Sequence, residues 1–320
     1  MLIKAVLPYQ HTGFLNFKTA PYEAWVRNVN VNVSDKVKEN WRGIAEAHYP
    51  PRLLHGLAYR YDLPTLWKSK SQARLRFVEP VSVSFDTFPD YARYEVIPFV
   101  WDCWPCYFEK MCRWMEKHEV RTAIFTSSQT AEKIQTAFPD MNVMWCPEAV
   151  DTSIFQAGKP LGERKVDLLE FGRQSHVIID GNRKFNYVCT KENGKFLYSN
   201  EQLYEVMGDA RITIALPRCM TQPEVAGDIE TLTQRYWENM LSRIVMLGHA
   251  PKELTDFIGY NPVIELDREH SNEQILDILA HISDYQPLVD RNRETALKMG
   301  SWDIRMKKVM EWLRELGYEV

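Results

Sequence analysis

Residues 211–241 read RITIALPRCMTQPEVAGDIETLTQRYWENML. The stretch opens on a short Ile-rich strand, Arg211–Leu216, of the kind buried in a parallel sheet. A loop containing Pro217, Pro223 and Gly227 follows. Thr231-Leu-Thr-Gln234 fits a capping box, so a helix is expected from Thr231. Leu232, Tyr236, Trp237, Met240 and Leu241 then form one apolar stripe at helical spacing. The result is a strand–loop–helix unit of an open α/β sheet, where ligands bind at the carboxyl ends of strands. Glu230 falls just ahead of the helix and Glu238 about two turns in, on its polar face. The free N–H groups of a first helical turn favour an anion such as a phosphate. Carboxylates beside them accept from sugar hydroxyls. The set suits a nucleotide-sugar. In the plainer reading, Glu238 is a solvated helix-face residue and Glu230 a partner of the helix dipole.

The same alternation runs through the chain in both directions. Upstream, strands are expected at Ile3–Leu7, Val81–Phe85, Glu95–Trp101, Thr122–Thr126 and Asn142–Cys146. Helices are expected at Ser34–Ala47, Arg52–Tyr61, Tyr107–Lys117 and Gln129–Phe138. The second half adds strands at Lys165–Phe171, Asn186–Cys189, Ile244–Leu247 and Val263–Glu265. It adds helices at Asn200–Met207, Asn272–Ile282, Pro287–Met299 and Trp302–Leu316. Alternating strands and helices imply α/β domains with parallel sheets. At about 150 residues per domain, 320 residues make two. The hinge is expected at 156–163, QAGKPLGE, where Gly and Pro cluster, giving domains 1–155 and 156–320.

Composition narrows the function. The net charge is −4, which does not suit a general nucleic-acid binder. No apolar run approaches the ~18 residues of a membrane span, and MLIKAVLPYQ lacks the pattern of a signal peptide. Six cysteines are too sparse for a disulfide scaffold, which points to the cytoplasm. There is no GxGxxG, P-loop, GxSxG or HExxH motif and no Asp-x-Asp clamp, so neither a dinucleotide cofactor nor a metal is expected.

Three smaller signals remain. Cys103-Trp-Pro-Cys106 is a CxxC between a strand and a helix, where a helix N-terminus would lower a thiol pKa. It reads as a redox pair or, more plainly, as small apolar residues packing a turn; a zinc site would need two more ligands, and the nearby Cys112 and His118 point about 120° apart on a helix. Asp102 beside it is a carboxylate at a strand's carboxyl end. His11 lies in the loop after the first strand. Residues 60–76 carry Arg60, Lys68, Lys70, Arg74 and Arg76 against Asp62. That run reads as a solvated face or as a contact with anionic lipid at the inner face of the membrane.

Glu230-x7-Glu238 resembles the E-x7-E motif of retaining glycosyltransferases of the GT-B fold, especially the large family 4 group. Pro147-Glu-Ala-Val-Asp-Thr-Ser-Ile-Phe155 is similar to that group's P-x-G-V-D-x-x-x-F entry to the second domain. VDLLEFGR at 166–173 is similar to its strand ending in Gly-Arg, and Phe125-Thr-Ser-Ser128 to a strand end in its first domain. The resemblance covers roughly residues 95–310.

It implies two Rossmann-like α/β domains facing across a cleft, with a C-terminal helix crossing back to the first. It implies metal-independent transfer of a sugar, with retention, from a nucleotide-diphosphate sugar such as a UDP- or GDP-sugar. The acceptor would be a glycan or a lipid-linked group, in polysaccharide or glycoconjugate synthesis. Glu238 would hold the nucleotide ribose and Glu230 the donor sugar. The amides of Thr231, Leu232 and Thr233 would approach the sugar and diphosphate. Arg173 would neutralise the diphosphate, with His176, Lys184 and Arg218 as further donor-side groups. Beside what the resemblance implies, Asp102 and His11 are read from their places after strands as polar groups of the cleft and, with Glu230, as the catalytic candidates. The family's Lys about five residues beyond Gly-Arg is absent, and the Gly-rich loop after the first strand shrinks to His11-Thr-Gly13-Phe14. Other readings are a nucleotide-sugar epimerase on the same scaffold and a non-catalytic nucleotide- or glycan-binding module.

Overall fold

The computed structural model describes residues 1–8, 18–29, 67–172, 184–192, 195–196 and 198–320. Contacts divide the chain into two compact units. One comprises Met1–Cys146 with Asp303–Val320, and the other Pro147–Trp302.

The first unit is built on five parallel strands in sequence order, β1 (Leu2–Val6), β2 (Gln72–Val78), β3 (Glu95–Val100), β4 (Thr122–Phe125) and β5 (Asn142–Trp145). Its helices are α1 (Thr19–Asn28), the single turn α2 (Val83–Asp86), α3 (Pro105–Lys117) and α4 (Ser128–Ala137). The core gathers Val78, Val96 and Val100 with Met111, Trp114 and Met115 of α3 and Ile134 of α4. Residues 34–61, expected to hold two helices, lie outside the described residues.

Two expectations in this unit are overturned. The strand at Val81–Phe85 is a helical turn. Pro80 removes a ladder donor, and the Asp86 carboxylate folds back to accept from the Glu79 amide (2.9 Å) and the Ser82 hydroxyl (2.8 Å). The strand beside β1 is instead Gln72–Val78, inside the basic run. It alternates: Ala73, Leu75 and Phe77 are buried, while Arg76 donates to Asp90 (2.8 Å) and Arg74 lies 3.8 Å over the Tyr94 ring. Lys68 donates to the His118 carbonyl. Three of the five basic residues read as a lipid contact are thus tied to partners within the unit.

The second unit holds β6 (Val166–Glu170), β7 (Tyr187–Cys189), β10 (Ala210–Ala215), β11 (Val245–Gly248) and β12 (Val263–Glu265), with a separate hairpin of β8 (Lys191–Glu192) and β9 (Lys195–Phe196). The five strands are parallel, in the order β12-β11-β10-β6-β7. Helices are α5 (Asn200–Gly208), the short α6 (Arg218–Thr221) and α7 (Pro223–Ala226), α8 (Gln234–Leu241), α9 (Lys252–Ile258), α10 (Ser271–Ala280), α11 (Gln286–Met299) and α12 (Trp302–Glu315), whose residues from Asp303 belong to the first unit.

Both faces of this sheet are covered, so neighbouring residues on a strand enter different cores. Met246 packs with Trp237, Met240 and Leu241 of α8. Val245 and Leu247 pack with Ile275, Ile278 and Val289. This is why β11 reads as a continuous apolar run. The 156–163 stretch, expected as a hinge, lies inside this unit. The buried Arg164 guanidinium donates to the carbonyls of Ala157, Lys159, Ala210 and Ser242, pinning the stretch to β10 and the end of α8. Among the described residues no helix is long and apolar enough to cross a membrane.

Candidate functional site

The second unit has a topological switch point. The chain leaves β6 for β7 on one side and later returns through β10 on the other, pairing Ile212 with Leu168 and Thr213 with Leu169. Loops leaving the carboxyl ends of β6 and β10 therefore diverge, opening the crevice where such sheets bind ligands. After β6 come Phe171 and Gly172. Gly172 has φ +75°, and a Cβ there would run into the Arg235 guanidinium. Glycine meets both demands. Glu170, buried at the strand's end, accepts from the Tyr187 hydroxyl at 2.5 Å.

Helix α8 brings Glu238 and Arg235 to this crevice. Arg235 lies 5.4 Å over the Phe171 ring. Burial lowers its pKa, opposed first by the charge of Glu238. Glu238 is half-buried rather than solvated. Burial raises its carboxyl from the ordinary 4.5 to about 7, with Arg235 pulling the other way. Burial also raises the Tyr204 phenol of α5, with Glu238 adding to the shift. Tyr204 escaped the sequence reading because its proximity to Glu238 depends on how α5 meets α8; Arg235, three residues before Glu238 on the same helix, could have been found from i,i+3 spacing.

Glu230 sits in the loop after β10. Its Oε2 accepts from the Lys252 amide at 3.2 Å, and its Oε1 is 3.4 Å from His249 Nε2. His249 follows β11, and its Nδ1 faces Glu265 Oε1, at the end of β12, at 2.9 Å. Both His249 and Glu265 end strands, and reading the loops after strands throughout the second half would have found them.

The helix after Glu230 starts later than expected. Thr233 is its N-cap without a side-chain hydrogen bond, α8 begins at Gln234, and the Thr231–Gln234 capping box does not form. Leu232 is fully buried, which holds the preceding turn in the core. Two carboxylates from elsewhere take the amides instead. Leu232 N–H donates to Glu253 Oε2 at 2.7 Å and Gln234 N–H to Glu148 Oε2 at 3.1 Å. Glu148 also accepts from Trp237 Nε1 through its carbonyl, at 2.8 Å. The Leu232 amide, expected to approach the donor, is therefore engaged inside the protein. Thr231 is buried and Thr233 half-buried.

Arg218 opens α6, and its Nε donates to Gln222 Oε1 at 3.0 Å. Lys184 is exposed ahead of β7. His11, Arg173 and His176 lie outside the described residues. Asp102 follows β3 in the first unit in a left-handed conformation, φ 46°, and its carbonyl accepts from the Trp104 amide at 2.8 Å. For Cys103 the redox expectation is reversed. Burial raises its thiol to about 12, whereas Cys106 is exposed. Cys112 and His118 do not complete a zinc site: among the described residues no three His, Cys, Asp or Glu side chains are placed to hold a metal ion.

No protein-family model matches the chain. No curated protein matches it either. Solved structures do. The chain is similar to a glycosyltransferase from Rickettsia africae ESF-5, at 11% sequence identity with 98% of each chain covered and a TM-score of 0.53. It is similar to a sucrose-phosphate synthase from Thermosynechococcus elongatus, at 11% identity over 83% of this chain and 77% of that one, with a TM-score of 0.53. It is also similar to S. aureus TarM in complex with fondaparinux, α-GlcNAc-glycerol and UDP, at 12% identity and a TM-score of 0.53. That match covers 81% of this chain, which spans 58% of the TarM chain. At these identities the likeness shows the fold: two parallel α/β units of the GT-B type, with a helical C-terminal tail.

Proposed function

We propose that the chain is a glycosyltransferase that moves a sugar from a nucleotide-diphosphate sugar to a glycan or lipid-linked acceptor. The observation that carries the reading is Glu230 in the segment after β10 together with Glu238 on α8 beside Arg235, whose guanidinium lies over Phe171 just beyond β6, on a fold shared with glycosyltransferases. Glu238 accepts from the ribose hydroxyls and Glu230 from those of the donor sugar. Arg235 beside Glu238 opposes the burial that raises its carboxyl to about 7 and so favours the ionised form, which accepts from two hydroxyls at once. The Thr231 and Thr233 backbone faces the diphosphate, and Arg173, with His176, Lys184 and Arg218, offsets its charge. Concentrated positive charge stabilises the departing nucleotide diphosphate, the main electrostatic demand of the transfer. Asp102 and His11 join Glu230 as the catalytic groups. The transfer proceeds with retention and without a metal ion. UDP in the TarM complex supports a nucleoside diphosphate as the group recognised.

The test is calorimetric titration of the purified protein with UDP, GDP, ADP, CMP and TDP, repeated with Glu238→Ala. Tight binding of one nucleotide, lost in the variant, supports the donor site and names the base. Binding of none removes the donor site and leaves a glycan-binding module as the better reading. Binding without turnover of any sugar conjugate points to a nucleotide-binding module.

A further inference from the structure

The loop after β10, the end of β11 and the end of β12 converge on one imidazole. The His249 backbone is fixed at both ends: its N–H donates to the Ala215 carbonyl at 2.9 Å, and its carbonyl accepts from the Tyr236 hydroxyl at 2.7 Å. The ring leaves this anchor between two carboxylates. Nδ1 lies 2.9 and 3.1 Å from the two oxygens of Glu265, and Nε2 lies 3.4 Å from Glu230 Oε1. With a proton on each nitrogen the ring donates on both sides, so Glu265 holds it through Nδ1 while Nε2–H is aimed at Glu230. Glu230 accepts from the Lys252 amide through Oε2, and its Oε1 lies at ion-pair distance from the ring. The Glu230 and His249 side chains are 32% and 31% exposed, so ligand and ring can meet the carboxylate together.

We propose that His249 is the positioning residue for Glu230: Glu265 orients the ring through Nδ1, and the ring fixes the Glu230 carboxylate in the attitude that receives the hexose of the donor. The inference rests on the donor-site reading above and adds the residues that set its sugar-binding geometry. A role confined to stapling β11 to β12 is distinguishable, because it would weaken nucleotide and nucleotide-sugar binding alike.

The chemistry of the ring gives a paired test. Asparagine presents its amide nitrogen near the place of Nδ1 and keeps only the Glu265 link. Glutamine reaches the place of Nε2 and keeps the Glu230 link. Calorimetry with UDP and GDP, and with UDP-glucose, UDP-N-acetylglucosamine and GDP-mannose, measures how much tighter a sugar conjugate binds than its bare diphosphate. His249→Asn should reduce that gain about tenfold, the scale of one hydrogen bond to a charged group. His249→Gln should retain it within about threefold. Bare diphosphate affinity should be the same in all three proteins. If His249→Asn fails to fold, Glu265→Ala serves, since Glu265 is 62% exposed, and should lower the gain in the same direction.

An undiminished gain in His249→Asn, or in Glu265→Ala where that variant stands in, overturns the inference and leaves the donor site standing. So does an equal loss for bare and conjugated nucleotides. A wild type that binds diphosphates but no conjugate more tightly overturns the Glu230 sugar contact and the inference with it. A wild type that binds no nucleotide overturns the donor site itself.

Discussion

Replacing Glu238 by Gln removes the charge of this side chain and keeps its shape. Burial lifts the Glu238 carboxyl from the ordinary 4.5 to about 7 in the folded chain. The unfolded chain titrates at the ordinary value. Below about pH 4.5 both states hold the proton and folding incurs no penalty from this group. Between the two values the unfolded chain releases its proton while the folded one keeps it, so stability falls as pH rises. Above about pH 7 the loss is complete. A gap of about 2.5 units at about 1.36 kcal/mol each is ~3 kcal/mol, and solvent screening of a half-buried group reduces it to ~2–3 kcal/mol. Glutamine does not titrate. The stability of Glu238→Gln minus that of wild type should therefore grow by about this amount between pH 4.5 and pH 8. The attraction of Arg235 acts only on the ionised carboxylate, at the high-pH end, and is already contained in the value of about 7. Urea denaturation of both proteins at pH 4.5, 6, 7 and 8, with the transition of the second unit fitted separately, measures the difference. A difference that stays flat, or shrinks toward pH 8, would refute the assignment of a buried, charge-strained carboxyl. The same substitution should weaken nucleotide binding, so stability and binding move in opposite directions at high pH.

Gly248→Ala should destabilise the second unit by about 3 kcal/mol or more in urea denaturation, because a Cβ there would lie 1.9 Å from the Ala215 carbonyl oxygen of the neighbouring strand. A midpoint unchanged from wild type would contradict the spacing of β10 and β11. Glu253→Ala leaves the buried Leu232 amide without its 2.7 Å acceptor and should lower stability by about 1–3 kcal/mol by the same assay. Iodoacetamide at pH 8 should label the exposed Cys106 and spare Cys103 and Cys146, both raised to about 12 by burial, as peptide mass mapping would show. Equal labelling of Cys103 and Cys106 would restore the redox reading.

The two clearest failures of sequence reading share one cause. VSVSF at 81–85 has the composition of a strand, yet Asp86 and Pro80 turn it, while the basic QARLRFV at 72–78 is the strand. Arg74 and Arg76 look like surface charge until Asp90 and the Tyr94 ring are brought beneath them. Local composition could not reveal partners that lie more than ten residues away. The start of α8 failed likewise. Thr231-x-x-Gln234 satisfies the capping pattern, but Glu148 and Glu253 reach the amides first, from positions the pattern cannot see.

The sequence by itself determined the α/β alternation, the parallel sheets and the placing of Glu230 and Glu238 one loop and one helix beyond β10. Those follow from apolar periodicity and turn chemistry, which are local and repeat within a few residues. Only the tertiary structure decided how those residues are charged and held. Arg235 over Phe171, the Glu230–His249–Glu265 line and the burial of Cys103 join groups from separate strands, helices and loops. Electrostatics depends on distance and dielectric environment, and both are set only when the sheet brings its strand ends together.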